Sequence, residues 1–516
     1  MPQPQKNRQK IKRLVLIIIM ACLPALLATL IVNTQAKTSL TDFFPISPTD
    51  QNEYWHQVAT FHAVGFNGGY YTHLEKPAII TASRFGVHGP FYILLLGLLS
   101  KLTGWTYATP IFYNMFFLAL GFFLFAWFSK LNTRQIILAG LALGFFPPVL
   151  LYLPSAMQES THQMAAMVFA LILGIALTRQ EKTKPWIKWS AFFFTIIAAL
   201  SRASWSLLFF PLFALFLPKN FKSQVRGILA SVGCILVIAI VIDMFITSGN
   251  NTLTQAVGQF SSGWRSGLLH ILGTVKDNLG LFLTVTSPAQ LVFRVQYCLI
   301  LFLSLFLSIF YLHRAKSSTQ KNALQDNNFL FSLLILIIML PIVLWSFTLY
   351  FIKNDIRFIA PYIILTVFLL IIQNKEKWVM LFILVNLLVF PDVLQRYSNP
   401  VSNNFIYPKQ IIAETKPIFE RNIRYQPDQP NAWCNTILLP VTLYDYRIAL
   451  IPPGIGISYV LDNNAIDRVP FPAKSKYILI TLRQLKEIDP QDLIQLEKVA
   501  EFSDSTLFIN QASGCP

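Results

Sequence analysis

The sequence predicts a mainly α protein, a polytopic transmembrane helical bundle of about 11 spans followed by a small C-terminal α/β domain. Three observations carry this. Of the 516 residues, 54% are hydrophobic and 13% are charged, where soluble chains carry about 25% charged residues, which excludes a soluble enzyme. Apolar runs of about 15 to 24 residues recur through the first 395 positions, near the length a helix needs to cross roughly 30 Å of hydrocarbon. From Arg396 to Pro516 there are 12 basic and 12 acidic residues, so the net charge of +17 resides wholly in the apolar part and the tail is a separate, neutral domain.

The spans are read, in order, as Leu14–Val32, Thr106–Phe128, Gln135–Leu153, Thr161–Leu177, Trp186–Leu200, Ala203–Leu217, Gly227–Thr247, Ala289–Leu312, Phe329–Phe351, Ile356–Gln373 and Trp378–Leu394. Alternate gaps hold basic clusters: Lys6 to Arg13, Lys130 and Arg134, Arg179 to Lys188, Lys219 to Arg226, Arg314 to Lys321, and Lys375 with Lys377. These amount to 19 basic residues against Glu181, Asp326 and Glu376. The opposite gaps and the spans together carry 10 basic and 9 acidic residues. Cytoplasmic loops retain Lys and Arg, so the amino terminus is expected in the cytoplasm, and an odd number of spans then places the C-terminal domain outside. The expected location is the plasma (inner) membrane, multi-pass, with membrane lipid and no nucleic acid as a partner. The first span has the basic start of a signal peptide, but no clean small-residue cleavage site follows, so it is read as a retained anchor.

Cys22, Cys234 and Cys298 fall within spans. Cys434 and Cys515 alone lie on the oxidising side, and a bridge between them is expected, with two unpaired thiols as the alternative. No CxxC or HxxxH arrangement suggests a transition-metal site.

Two outside connections are long, Asn33 to about Trp105 and about Ser248 to Pro288, and long ordered loops on a rigid scaffold usually carry function. In the first, His88–Trp105 has an apolar core too short for a confident crossing. A crossing there would also put the basic clusters outside, so the segment is read as an interfacial helix. Upstream, Ser47-Pro48 opens a helix on which Asp50, Glu53, Tyr54 and Gln57 share a face. A carboxylate at the positive end of a helix is held ionised and can take a proton from a bound hydroxyl, which makes Asp50 the candidate base. The plainer alternative is that Asp50 caps the helix and Glu53 is solvated. The loop continues through Gly68-Gly69-Tyr70-Tyr71, whose tyrosines could stack on a sugar or pack internally. Arg84 and His88 flank Gly86 and could contact phosphate, a structural role for His88 being equally open.

Polar residues recur where the membrane makes them costly. Glu159 and His162 share a face at the start of the fourth span, after a short outside link. Arg202 stands at an outside hairpin tip, where it either serves the site or snorkels. Asp355 and Arg357 occupy another tight outside turn, as an internal pair or with Arg357 facing an anion. The second long loop adds Arg265 and, near the next span, Arg294, cations of the kind a lipid phosphate needs.

On these residues the chain resembles the GT-C superfamily of polytopic glycosyltransferases, in particular the protein mannosyltransferases and lipid A aminoarabinose transferases that use polyprenyl-phosphate sugars. The resemblance covers residues 1 to about 395, with an inside amino terminus, an acidic first outside loop with interfacial helices, a second acidic loop and an outside soluble domain. The first-loop motif of that family is matched by Asp50-Gln51-Asn52-Glu53-Tyr54-Trp55. The resemblance implies that Asp50 is the catalytic aspartate and Tyr54 its aromatic follower, that Glu159 is the second-loop acid, and that Arg202 is the basic residue after the fifth span. Gln51 replaces a frequent second acid, so a divalent metal is possible but not supported. The implied partners are a polyprenyl-phosphate-linked sugar and an acceptor hydroxyl on protein, lipid or glycan. Arg202, Arg265, Arg294 and Arg357 are candidates to stabilise the leaving phosphate, and Glu159 with His162 to hold hydroxyls.

The tail is read as helix Pro408–Ile423, strands Thr436–Leu443, Arg447–Ile451 and Tyr477–Thr481, helix Gln491–Phe502 and strand Thr506–Asn510. Its expected role is acceptor binding or positioning over the first loop, with a structural cap as the plain alternative. Two other functions compete with transfer: a transporter or flippase of lipid-linked sugars, and a non-catalytic membrane assembly factor. Against transport, there is no internal repeat and the polar residues gather outside instead of at mid-membrane.

Overall fold

The computed structural model describes residues 4–43, 50–77, 85–86, 89–178, 185–218, 220–242, 258–284, 327–349, 356–398, 409–443, 445–461 and 469–515, with isolated positions between 244 and 313. Helices dominate the first 398 residues. They are α1 (Pro4–Gln35), α2 (Asp50–Val64), α3 (Phe91–Thr103), α4 (Thr109–Phe128), α5 (Thr133–Gly144), α6 (Pro147–Tyr152), α7 (Glu159–Thr178), α8 (Pro185–Ser201), α9 (Phe209–Phe216) and α10 (Phe221–Val241). They continue as α11 (Trp264–Leu283), α12 (Asn327–Leu349), α13 (Ala360–Ile372), α14 (Glu376–Leu388) and α15 (Phe390–Ser398).

Among the described residues, six stretches are long and apolar enough to cross a membrane: Arg8–Gln35, Thr109–Phe128, Glu159–Leu177, Phe221–Val241, Leu330–Leu349 and Glu376–Ser398, and five apolar helices of 10–17 residues accompany them. Their inward sides form one core around Phe122, Phe125, Phe169, Trp205, Phe209 and Phe368. Their outward sides leave Leu26, Phe116, Phe193, Leu229 and Leu384 exposed, a density of bare apolar surface that lipid, not water, accommodates. The chain is a multi-pass membrane protein.

Several elements differ from the sequence reading. The run Gln135–Leu153 is not one helix: α5 ends at Gly144 and α6 restarts at Pro147, because Pro147-Pro148 removes two backbone donors and suits a first turn. The stretch from Ala203 begins as a 3-10 helix, Ala203–Leu208, before α9. The second long loop contains α11, whose mixture of Leu with Arg265, Lys276 and Asp277 conceals a helix from a search for apolar runs. The expected interfacial segment is helical as α3. Only scattered positions of the span read at Ala289–Leu312 lie among the described residues.

Beyond α15, helix α16 (Lys409–Asn422) leads into strands β2 (Thr436–Pro440), β3 (Gly456–Val460), β4 (Tyr477–Thr481), β5 (Leu496–Glu501) and β6 (Ser505–Asn510), with short helices α17 (Leu482–Leu485) and α18 (Pro490–Leu493) between them. The sheet has six strands because the first long loop contributes one, β1 (Thr72–His73), in the order β1-β3-β2-β4-β6-β5. Strand β1 runs parallel to β3, with Thr72 opposite Ser458 and His73 opposite Tyr459. The segment read as strand Arg447–Ile451 is a 3-10 helix, Tyr446–Leu450, started by the Asp445 side chain accepting from the Arg447 amide. The segment read as helix Gln491–Phe502 is helical only at its start, in α18, and from Leu496 to Glu501 it is β5, which β6 holds as an antiparallel partner against its mixed composition. Cys434 and Cys515 form the expected disulfide.

Candidate active site

Four charged groups meet where four helix ends converge. Asp50 opens α2, with Glu53 also in the first turn, a placement that the helix dipole favours for acids. Glu159 opens α7. Arg202 closes α8 in extended conformation before the 3-10 turn. Arg357 lies in a second 3-10 turn, Ile356–Phe358, just ahead of α13. The Arg357 Nη1 donates to Asp50 Oδ2 at 3.3 Å, with side chains 20% and 38% exposed. Arg202 Nη2 donates to Glu159 Oε1 at 3.3 Å, with side chains 15% and 2% exposed.

The pairs are neighbours. Arg357 Nη1 also reaches Met157 Sδ at 3.9 Å, two residues before Glu159, and the Arg202 guanidinium lies 5.7 Å from the ring centre of Phe358. Tyr54 stands between them, buried, with its hydroxyl accepting from Gln158 Nε2 at 2.9 Å. Burial first, then the nearby Asp50 and Glu159 carboxylates, push the Tyr54 phenol well above its ordinary range. It stays protonated and can act as a donor.

The 154–158 link that sets this geometry is pinned from below. Asn114 Nδ2 donates to the Ser155 and Met157 carbonyls at 2.7 and 3.0 Å. Tyr92 donates to the Ala156 and Met157 carbonyls at 3.0 and 3.1 Å. A fully buried amide in an apolar helix is a costly choice, and Asn114 within Thr109–Phe128 was a signal in the sequence that periodicity alone passes over. Tyr92 and Gln158 carried no comparable signal.

His162 faces the same hairpin as Glu159 but has a different partner, since Trp205 Nε1 donates to His162 Nδ1 at 3.1 Å. The Trp205 ring stacks on Tyr362 at 4.8 Å. Around them, Ser160 Oγ, His162 Nε2, Gln163 Oε1, Arg202 Nη1 and Thr366 Oγ1 are buried with no hydrogen-bond partner among the described residues. Each such group costs about 1–3 kcal/mol, so this concentration is the sort of strain that binding sites retain.

Of the residues singled out from the sequence, Asp50, Tyr54, Glu159, His162, Arg202 and Arg357 come together. Glu53, in the same first turn as Asp50, is buried; its Oε1 accepts from Gln57 Nε2 at 2.7 Å, and a Cβ added at Gly86 would come within 2.2 Å of the same oxygen. Arg294 lies elsewhere, its Nη1 donating to the Phe282 and Thr284 carbonyls at the end of α11. Arg265 is exposed on the first turn of α11. Arg84, His88 and Asp355 lie outside the described residues. No group of three or more metal-ligating side chains occurs among the described residues.

No protein-family model matches the chain, and no curated protein matches it. Two solved structures are similar: ArnT from Cupriavidus metallidurans bound to undecaprenyl phosphate and the same protein in the apo state. Each is 10% identical and covers 97% of this chain and 99% of that chain, with TM-scores of 0.40 and 0.41.

Proposed function

We propose that the chain is a membrane glycosyltransferase that moves a sugar from a polyprenyl-phosphate donor to an acceptor hydroxyl, on the extracytoplasmic face and with inversion at the anomeric carbon. The observation that carries this reading is the meeting of Asp50 with Arg357, and of Glu159 with Arg202, around Tyr54 at one end of an apolar bundle. The lipid chain has apolar helix surface to lie against, and its phosphate has two guanidiniums within reach of the same region.

In this mechanism Asp50 accepts the proton of the attacking hydroxyl while the acceptor oxygen bonds to the anomeric carbon. The bond from that carbon to the phosphate oxygen breaks, and the electron pair leaves with the phosphate. Arg357 and Arg202 stabilise the charge that gathers there, in a partly buried site where such stabilisation is strongest. Glu159 holds Arg202 in place, and the protonated Tyr54 orients hydroxyls. The two ion pairs lie at helix starts and turns, not in the middle of the spans, which favours transfer over translocation. The cytoplasmic amino terminus follows from the basic gaps.

The test is turnover by purified protein in detergent, given a polyprenyl-phosphate sugar and candidate acceptors, read as release of the sugar-free lipid phosphate. Asp50→Asn is expected to insert and fold normally yet lose turnover by at least a hundredfold, as loss of a general base does. Full activity in that variant would remove the assignment of the base.

A further inference from the structure

We propose that His56 is a positioning residue, one that fastens the C-terminal sheet unit onto α2 and thereby keeps Asp50 opposite Arg357. The proposal rests on the transferase reading above. His56 is fully buried, six residues after Asp50 on the same helix. Its Nδ1 lies 2.7 Å from the Tyr71 hydroxyl and its Nε2 3.0 Å from the Ile451 carbonyl oxygen. One imidazole therefore joins α2, the first long loop and the C-terminal unit.

The protonation pattern is set by the partners. A carbonyl can only accept, so Nε2 carries the hydrogen and donates to Ile451; Nδ1 then accepts from Tyr71. Burial lowers the imidazole pKa to about 4, and the bond to Ile451 offsets only part of that, so the required neutral form prevails near neutral pH. The Tyr71 hydroxyl lies 2.9 Å from Thr60 Oγ1, which accepts from the Gly454 amide at 3.2 Å. Tyr71 itself belongs to the core of the C-terminal unit.

Other contacts fix the loop to the C-terminal unit without touching α2. The Glu75 carboxylate accepts from the Lys474 and Ser475 amides at 2.7 and 2.8 Å, and β1 pairs with β3. From α2, the His56 and Thr60 side chains hydrogen-bond the C-terminal unit. The helix thus presents Asp50 and Tyr54 to the bundle and His56 and Thr60 to the sheet unit. Undoing the second contact frees the helix to rotate and shift the first, and displacements of about 1 Å are enough to cost a factor of 10² in rate.

The experiment compares His56→Leu, His56→Gln and Tyr71→Phe in the intact protein in detergent. Undecaprenyl phosphate serves as the binding probe, a polyprenyl-phosphate sugar turned over by the wild type serves as donor, and hydrogen exchange is followed over residues 446–456. His56→Leu is expected to lower kcat at least tenfold while affinity for undecaprenyl phosphate does not fall, and to speed exchange in that segment. His56→Gln, whose amide can still donate to Ile451, should recover most of both, and Tyr71→Phe should fall between. Unchanged kcat and exchange in His56→Leu overturn the proposal, as does a joint fall of kcat and affinity that Gln does not rescue. If His56→Leu does not fold, Tyr71→Phe carries the same test. Failure of the transferase reading is separate, appearing as full turnover in Asp50→Asn or none in the wild type. In the latter case, exchange in His56→Leu and His56→Gln still decides whether His56 fastens the unit.

Discussion

Asp50 and Arg357 hold each other in the ligand-free site, and that has a thermodynamic consequence. If Arg357 is to hold a donor phosphate, the phosphate competes with Asp50 for one guanidinium, so removing the carboxylate should strengthen anion binding while it removes the base. Asp50→Asn is therefore expected to bind undecaprenyl phosphate several-fold more tightly than the wild type. The gain should disappear in the Arg357→Gln background, a double-mutant cycle that separates shared use of Arg357 from a general change of charge. A gain that persists without Arg357 would contradict the sharing. The inner pair behaves differently because it is more deeply buried. Arg202→Met leaves the Glu159 carboxylate, 2% exposed, without its guanidinium, and breaking such a pair costs about 3–5 kcal/mol. A clear fall in the thermal midpoint is expected. Glu159→Gln, which keeps a polar group and removes the charge, should cost less.

The first long loop is held to the sheet by a backbone approach that permits no side chain. A Cβ added at Gly69 would lie 1.6 Å from the Asn435 carbonyl oxygen and 2.5 Å from the Gly456 amide nitrogen. Both obstacles are main chain and cannot swing aside. Gly69→Ala should thus separate β1 from β3, expose residues 68–77 to proteolysis and reduce turnover, while Gly273→Ala in α11, where a Cβ meets nothing within 4 Å, should do neither. Helices such as Thr109–Phe128 and strand Tyr477–Thr481 were legible because composition and local period agree with the packing they enter. Strand β1 was not, since two residues between glycines and a charged turn have no period and exist as a strand only because β3 lies alongside. Strand β5 failed for a related reason: Leu-Glu-Lys-Val-Ala-Glu favours a helix locally, and pairing with β6 overrides that preference. The candidate site was legible in its charges, which are costly near lipid and therefore conspicuous, and less so in Asn114, a lone amide that periodicity passes over; Tyr92 and His56 gave no signal, because their roles depend on carbonyls remote in sequence.

Across the whole molecule, a buried histidine and a half-buried aspartate act on the C-terminal unit with opposite sign. His56 has its pKa lowered by burial from 6.5 to about 4. Between those values the unfolded chain binds the proton that the folded chain refuses, so folding loses stability as pH falls through this window, by on the order of 3 kcal/mol in full. Asp445 is shifted the other way, from 3.8 up to about 6, chiefly because burial penalises its charge, with Arg447 opposing. There the folded chain takes up the proton first, so stability rises as pH falls from about 6 toward 4. Asp445 starts the 3-10 turn Tyr446–Leu450 and Ile451 follows it, so both effects converge on the contact between α2 and the sheet unit. The wild type is expected to show a nearly flat thermal midpoint for this unit between pH 6.5 and 4. His56→Gln should turn that profile into a rise toward acid and Asp445→Asn into a fall. Parallel profiles in all three proteins would mean that neither group titrates across this window, and the account of a neutral imidazole joining α2 to the sheet would lose its electrostatic basis.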